Sequence, residues 1–315
     1  MTNQLEISQV ERTTDLRAIA SLSIALLAIS SSGIFIRLSE GEISSNATVF
    51  DRVAIATIIF GFGNGFNAFR HKLSDRKLVA QKFDINRQDL LLFFATATFY
   101  LANQTLWAWS LTQTTVAIST VLVGLKPLFT CLFAWLILGQ RFENKFLIGM
   151  IIAIGGICAV GLEDLQIATG KLPGDIAAFL AAICSSAYLL TVEKLRIKFS
   201  PKTIIFWCCG LSTLFSLPVF LFFEDKLFPY SITGWVFVIA LAIVCQVLGQ
   251  GLLAYSLKKF SSGFVALVLL LESILVAIAA WIIFGEILTL FDWVAFFAIL
   301  LGLYLAISSK STVKE

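Results

Sequence analysis

Histidine and charge are scarce in this chain. The sequence has one histidine, His71, among 315 residues, and 14% of the residues are charged, whereas 58% are hydrophobic. A soluble domain carries about 25% charged residues, and it cannot hide this much apolar surface from water. The composition therefore excludes a soluble globular domain.

Motifs for metal, nucleotide or nucleophilic chemistry are also missing. No CxxC, HExxH, GxSxG or GxxxxGK[ST] pattern occurs, and the net charge of +3 does not indicate a nucleic-acid partner. All six cysteines lie inside apolar runs and are expected to be small buried side chains. We therefore expect no cofactor, no metal site and no enzyme. An intramembrane enzyme with Lys126 as its base, and a channel or scaffold, stay open as alternatives.

Ten apolar runs have about the length that a helix needs to cross a roughly 30 Å hydrocarbon core. They predict an all-α membrane protein with ten transmembrane helices. The predicted helices cover residues 18–36, 47–69, 90–109, 116–138, 146–162, 176–192, 204–223, 232–255, 263–284 and 293–308. Because residues 1–17 are polar and the first run is long, we expect that run to remain as a helix and not to be a cleaved signal peptide.

Lysine and arginine are distributed unevenly between the predicted loops. Eighteen lie on the side of the N-terminus, and three, Arg37, Lys171 and Lys226, lie on the other side. Basic residues concentrate in cytoplasmic loops. The pattern predicts that both tails, residues 1–17 and 309–315, are cytoplasmic.

The two halves of the chain repeat. Residues 104–111 read QTLWAWSL and residues 250–257 read QGLLAYSL, at an offset of 146; AWLILGQ at 134–140 and AWIIFGE at 280–286 have the same offset. The repeats are predicted at 18–162 and 176–308, joined by a linker at 163–175. Since five helices is an odd number, the second repeat must enter the membrane from the opposite side. Inverted repeats allow alternating access to a central site.

Each repeat has a helix that ends in a Gly-Glu-like pair, Gly139-Gln140 and Gly285-Glu286, followed by a helix that contains glycine. With these features the chain resembles the drug/metabolite transporter superfamily, in particular its EamA-type ten-helix permeases. The resemblance implies a secondary transporter, an exporter of a small amino-acid-like or amphiphilic metabolite, in the bacterial cytoplasmic membrane. The implied partners are the solute, the lipid bilayer and a coupling ion such as a proton, with a homodimer left open.

The chain departs from the family pattern at one point. The family often has proline in the middle of both fourth helices, and here Pro127 has Ser273 as its counterpart. Since proline breaks or kinks a helix, the sequence leaves open whether the second half bends as the first does.

One charge lies deep in each of two equivalent runs, Lys126 in the first half and Glu272 in the second. A charge at bilayer depth costs about 2.5–3.5 kcal/mol on insertion scales and is rarely kept without a partner or a function. Lys126 shares a helical stripe with Thr115, Ser119 and Thr130. Lys126 could bind a carboxylate or phosphate of the solute, and Glu272 an amine or a coupling proton. Alternatively, the two charges pair with each other as a structural bridge.

Further polar side chains occupy three other predicted helices. Amides beside aromatic rings form adaptable walls for small molecules, although hydrogen bonds between helices would explain them equally well. These candidates are Tyr100, Asn103, Gln104 and Trp107 on the third helix, Tyr188 on the sixth, and Gln246 and Gln250 on the eighth. Arg37 and Arg52 lie near the outer membrane boundary, where we expect their side chains to reach the lipid headgroups.

Overall fold

The structure is a computed structural model that describes residues 2–39, 42–73, 86–114, 116–162, 172–224, 226, 228–284 and 289–309. These residues contain helices and no β-strand. The helices are α1 (Thr2–Ser30), α2 (Ser32–Ser39), α3 (Ser45–Leu73), α4 (Arg87–Gln113), α5 (Val116–Val123), α6 (Lys126–Leu138), α7 (Asn144–Leu162), α8 (Leu172–Leu195), α9 (Pro201–Phe223), α10 (Ile232–Ala240), the π-helix π1 (Leu241–Gln250), α11 (Gly251–Ser256), α12 (Ser262–Val268), α13 (Leu271–Phe284) and α14 (Leu290–Ile307).

Every predicted helix overlaps at least one of these helices, although the first begins well before residue 18. Within the described part of the chain, six helical stretches are long and apolar enough to cross a membrane: Leu16–Ile36, Ile118–Leu138, Leu172–Leu195, Pro201–Phe222, Ile232–Ser256 and Ser262–Ile283. Two shorter apolar stretches lie at Asn144–Cys158 and Asp292–Ile307. The all-helical class is confirmed, and the number of spans and the side of the termini stay predictions.

Hydrogen bonds from short polar side chains mark where several helices begin. Asn86 and Asp89 form a reciprocal capping box at the start of α4, and Thr289 and Asp292 form another at the start of α14. Ser261 caps α12. Such side chains satisfy backbone N–H groups that have no partner within the helix.

Large apolar side chains cover much of the outer surface. Phe62 is 77% exposed, Phe222 is 81% exposed and Ile282 is 71% exposed. A soluble monomer rarely exposes apolar area on this scale, whereas lipid chains would cover it without cost. The exterior is therefore that of a membrane protein.

Helices α7 and α14 pack closely through small residues. A side chain on Gly149 would begin 2.4 Å from the carbonyl oxygen of Gly302, and one on Gly156 would begin 2.9 Å from that of Ala295. The contacts proceed in opposite directions along the two helices, so the pair is antiparallel. Small residues at membrane helix interfaces allow the backbones to approach.

Candidate functional site

Two helices are interrupted near their middle. Between α5 and α6 the N–H of Leu125 donates to the carbonyl of Leu122, three residues back, and Pro127 follows in the first turn of α6. Between α12 and α13 the N–H of Ser273 donates to Leu270 in the same tightened pattern. The second interruption therefore forms without proline, which answers the question that Ser273 left open.

The interruptions bring Lys126 and Glu272 together. Lys126 is the first residue of α6, and Glu272 lies in the first turn of α13. The Nζ of Lys126 is 3.8 Å from Oε2 of Glu272, and their side chains are 11% and 29% exposed. Since a charged N–H···O hydrogen bond is about 2.7–2.9 Å long, this contact is an ion pair without a hydrogen bond.

Helix ends affect the two charges differently. The N-terminal end of a helix carries a partial positive charge, which favours Glu272 on α13 and disfavours Lys126 on α6. The C-terminal ends of α5 and α12 lie three and four residues before these charges and act in the opposite sense, so the effects of the helix ends largely offset each other. The side chain of Glu272 is partly exposed, whereas that of Lys126 is nearly buried.

The backbone at Lys126 is tied to α8. Its carbonyl oxygen accepts hydrogen bonds from the hydroxyl of Ser186, at 2.9 Å, and from that of Thr130, at 2.7 Å. Ser119 shares a 2.7 Å hydrogen bond with Ser110 of α4. The predicted polar stripe thus joins helices inside the protein, and its member Thr115 lies outside the described residues.

Two tyrosines bond to two glutamines of π1. Tyr100 donates to Oε1 of Gln246 at 2.5 Å, and Tyr188 donates to Oε1 of Gln250 at 2.9 Å. The tyrosine rings are 5.3 Å apart. The sequence placed these side chains on three separate helices, and the structure joins them in one buried group. π-Helical turns are often found at functional sites.

The interpretation of Arg52 as a residue that reaches the headgroups is wrong. Arg52 is 4% exposed, and its Nε donates to Oε1 of Gln246 at 2.9 Å. It forms no ion pair with a described residue, not even with its neighbour Asp51. Asp51 is 2% exposed, and its Oδ2 has no hydrogen-bond partner among those residues. Sequence reasoning missed Asp51, although a second charge beside Arg52 was a usable signal.

A small pocket lies beside Arg52, between α2, α3, α4 and the start of π1. Gln104 and Trp107 face it, whereas Asn103 donates to Oε1 of Gln104 at 3.2 Å without lining the pocket. Lys126 and Glu272 do not line it either. The lining residues are Ile36, Thr48, Val49, Arg52, Gln104, Trp107, Ala108, Leu111 and Leu241.

Among the described residues, no cluster of histidine, cysteine or acidic side chains could hold a metal ion. Outside the membrane helices, Glu42 accepts hydrogen bonds from the hydroxyl and the N–H of Ser231, at the start of α10. The bond from the hydroxyl lowers the pKa of Glu42 below its usual value. This contact ties the loop before α3 to α10, and it is structural.

Family comparison supplies the identity that the polar groups alone do not. The EamA-like transporter family matches residues 16–162 and 172–308, which is most of the chain. The chain belongs to the EamA-like transporter family. A solved crystal structure has the same fold, with a TM-score of 0.75 over 92% of this chain and 96% of that chain, at 15% sequence identity.

Curated relatives of this EamA-like protein are named as transporters. The chain is 29% identical over 201 residues to the S-adenosylmethionine uptake transporter of Rickettsia prowazekii, and the match covers 62% of each chain. It is 21% identical over 173 residues to the pseudopaline exporter CntI of Pseudomonas aeruginosa, which covers 55% of this chain and 59% of the relative. The chain thus spans less than two thirds of the length of these relatives.

A third relative is the uncharacterized transporter YetK of Bacillus subtilis, at 27% identity over 156 residues, 48% of this chain and 47% of the relative. The family is one of transporters, all three relatives are named as transporters and none as an enzyme, and the apolar helices identify a multi-pass integral membrane protein.

Proposed function

We propose that this EamA-like protein is a secondary transporter that exports a small amino-acid-like or amphiphilic metabolite by alternating access. It does so across the bacterial cytoplasmic membrane. Ten spanning helices form two inverted five-helix repeats, residues 18–162 and 176–308, and both termini are cytoplasmic. The pair of Lys126 and Glu272 lies at the junction of the repeats and exchanges its mutual contact for contacts with the solute.

The observation that carries this proposal is the contact between equivalent residues. Lys126 meets Glu272, and Tyr100 meets Gln246; the partners in each pair are 146 positions apart, which is the repeat offset. A two-fold axis brings equivalent residues together only where they lie close to that axis. Both pairs are polar, so a polar centre at the repeat interface is supported, as in transporters with inverted repeats.

The packing of α7 on α14 supports the same symmetry. Gly149 contacts Gly302. If each residue is replaced by its equivalent in the other repeat, 146 positions away, this contact becomes one between Ala295 and Gly156. That second contact is present. A two-fold axis in the membrane plane makes such equivalent helices antiparallel, and α7 and α14 are antiparallel.

Glu272 is the proposed proton carrier. Its side chain is 29% exposed and within ion-pair distance of one base, and its carboxylate has no described hydrogen bond, so a proton or a solute amine could displace Lys126. A carboxyl group that alternates between these partners couples proton movement to solute movement.

Transport by purified protein in liposomes tests the function. An imposed pH gradient should drive solute accumulation in wild-type vesicles, and Glu272→Gln should abolish the response to the gradient while solute exchange persists. Glu143→Gln, in the exposed segment before α7, is the matched control. Gradient-driven uptake that survives Glu272→Gln would remove this residue from the coupling role. Accelerated exchange with labelled solute inside separates a transporter from a channel or scaffold, which would show none.

Thiol labelling tests the orientation. In a cysteine-free background, Lys226→Cys should react with an impermeant reagent added outside cells, and Lys202→Cys should react only after the membrane is opened. The reverse pattern would invert the proposed topology. Both lysines are exposed in the structure.

A further inference from the structure

The strongest unexplained feature of the molecule is a buried cation that has no acidic partner among the described residues. Arg52 is 4% exposed, and Nε is its only side-chain atom with a described hydrogen bond, to Oε1 of Gln246. The two terminal nitrogens of the guanidinium have no hydrogen-bond partner among the described residues. A buried charge without compensation is strongly destabilising, so it is rarely kept unless a ligand supplies the opposite charge.

The orientation of the guanidinium is determined by its neighbours. Oε1 of Gln246 also accepts the hydrogen bond of Tyr100, and Nε2 of the same amide donates to Sγ of Cys209 at 3.3 Å. Gln246 is completely buried. With Nε held by this amide, the guanidinium is preorganised, and its terminal nitrogens stay available on a residue that lines the pocket. A planar guanidinium matches a carboxylate with two parallel hydrogen bonds.

The rest of the pocket is small and lined mainly by apolar groups. Trp107, Leu111 and Val49 supply apolar walls, and Gln104 is the other large polar residue on the lining. Apolar walls with a few convergent polar groups are typical of small-molecule sites. The wall chemistry therefore favours a compact apolar body that carries one acidic group.

We propose that the pocket beside Arg52 binds the carboxylate of the transported solute, a small apolar carboxylic acid or amino acid, through the terminal nitrogens of Arg52. That the ligand is the transported solute rests on the proposed function, but the binding of a carboxylate by Arg52 does not. The carboxylate contacts Arg52, and Gln246 and Tyr100 act as positioning residues.

A pair of matched probes tests the site without any gradient. Isovalerate and isovaleramide have the same shape, and only isovalerate carries the charge. In phosphatidylcholine nanodiscs, isovalerate should raise the Tm of the wild-type protein, and isovaleramide should not, because a ligand that binds only the folded state stabilises it. Equal shifts for the two probes would overturn the proposal.

Variants of two buried arginines test whether isovalerate binds at Arg52. Arg52→Gln should weaken isovalerate binding at least tenfold, and Arg52→Lys should weaken it less because the charge remains. Arg196→Lys is the matched control: Arg196 is also a buried arginine, but its Nε and Nη1 donate to the carbonyls of Ala254 and Phe199. Its binding of isovalerate should equal that of the wild type. Unchanged binding in Arg52→Gln would contradict the proposal.

A second variant keeps the proposal testable if Arg52→Gln does not fold. Ala108→Leu adds volume to the pocket wall without changing any charge, and it should weaken isovalerate binding severalfold. Nanodiscs that contain phosphatidylglycerol distinguish a lipid source of the anion. If wild type is stabilised by phosphatidylglycerol through Arg52 and ignores isovalerate, the ligand is a headgroup and the proposal is wrong. Isovalerate binding without transport would instead overturn only the proposed function.

Discussion

Two buried cations of this protein, Lys126 and Arg52, differ in the groups that surround their charge. Lys126 has a carboxylate 3.8 Å away, whereas Arg52 has an amide and no acid among the described residues. Lys126 is neutralised by the protein itself, and Arg52 retains an unbalanced charge beside a pocket. Under the two proposals above, Lys126 can contact the solute only after its contact with Glu272 is broken, whereas the charge of Arg52 is available to a ligand from the start.

The largest effect is expected from breaking the neutralised pair. Glu272→Gln leaves Lys126 uncompensated and should lower the free energy of unfolding by about 3–5 kcal/mol, with the water that reaches Glu272 favouring the low end. The double variant Lys126→Met with Glu272→Gln should recover most of that loss. Unfolding in mixed micelles measures all four proteins of the cycle. A double variant that also transports at the wild-type rate would assign the pair a structural role only.

The second prediction compares the two cations directly. Lys126→Met should destabilise the protein because Glu272 loses its partner. Arg52→Met should leave the free energy of unfolding unchanged or raise it, since the removed charge had no acidic partner among the described residues. The lost hydrogen bond from the charged guanidinium to Gln246 is worth about 1.5–3 kcal/mol, which is no more than the cost of an uncompensated buried charge. Unfolding of both variants without added solute is the measurement. An equal, large loss in Arg52→Met would show that another group already compensates its charge.

A smaller effect is expected at the interruption next to Lys126. Pro127→Ser gives the first half the residue of the second, and it should cost no more than about 1 kcal/mol because proline stabilises mainly by restricting the unfolded chain. The interruption itself should persist, since α12 and α13 are interrupted without proline. Unfolding measures the energy, and amide hydrogen exchange around residue 125 reports the local structure. Strong new protection there would contradict the expectation.

The smallest effect concerns the support of Arg52. Tyr100→Phe removes one of the two hydrogen bonds that Oε1 of Gln246 accepts, and it should cost about 0.6–1.7 kcal/mol, as is found for hydrogen bonds between membrane helices. Isovalerate binding should weaken modestly, because Gln246 loses part of its orientation. Tyr188→Phe is the control for the loss of a tyrosine hydroxyl, as Tyr188 bonds to Gln250 instead. Equal binding losses in the two variants would refute the positioning role.

Part of the site was readable from the repeat offset alone. An offset of 146 relates Lys126 to Glu272, and it relates Tyr100 to Gln246 as well. The first pair was singled out because its charges are conspicuous in apolar runs. The second pair was available by the same arithmetic, but tyrosine and glutamine do not stand out by charge.

Other features had no local signal. An arginine near the start of a helix can extend to the headgroups or turn inward, and Arg52 turns inward because Gln246 of a distant helix offers it an acceptor. No proline in the sequence indicates the interruption before α13. It is formed by backbone hydrogen bonds between residues 267 and 273, in which each N–H donates to the carbonyl three residues back.

The sequence by itself determined the class of protein, the approximate positions of the described helices and the internal similarity of the two halves. These properties follow from hydrophobic length and from internal similarity, which are written along the chain. The tertiary structure decided which polar side chains meet: Lys126 with Glu272, and Arg52 and Tyr100 with Gln246. The physical reason is that ion pairs and hydrogen bonds act over a few ångströms, so their partners are chosen by how helices cross and not by residue order.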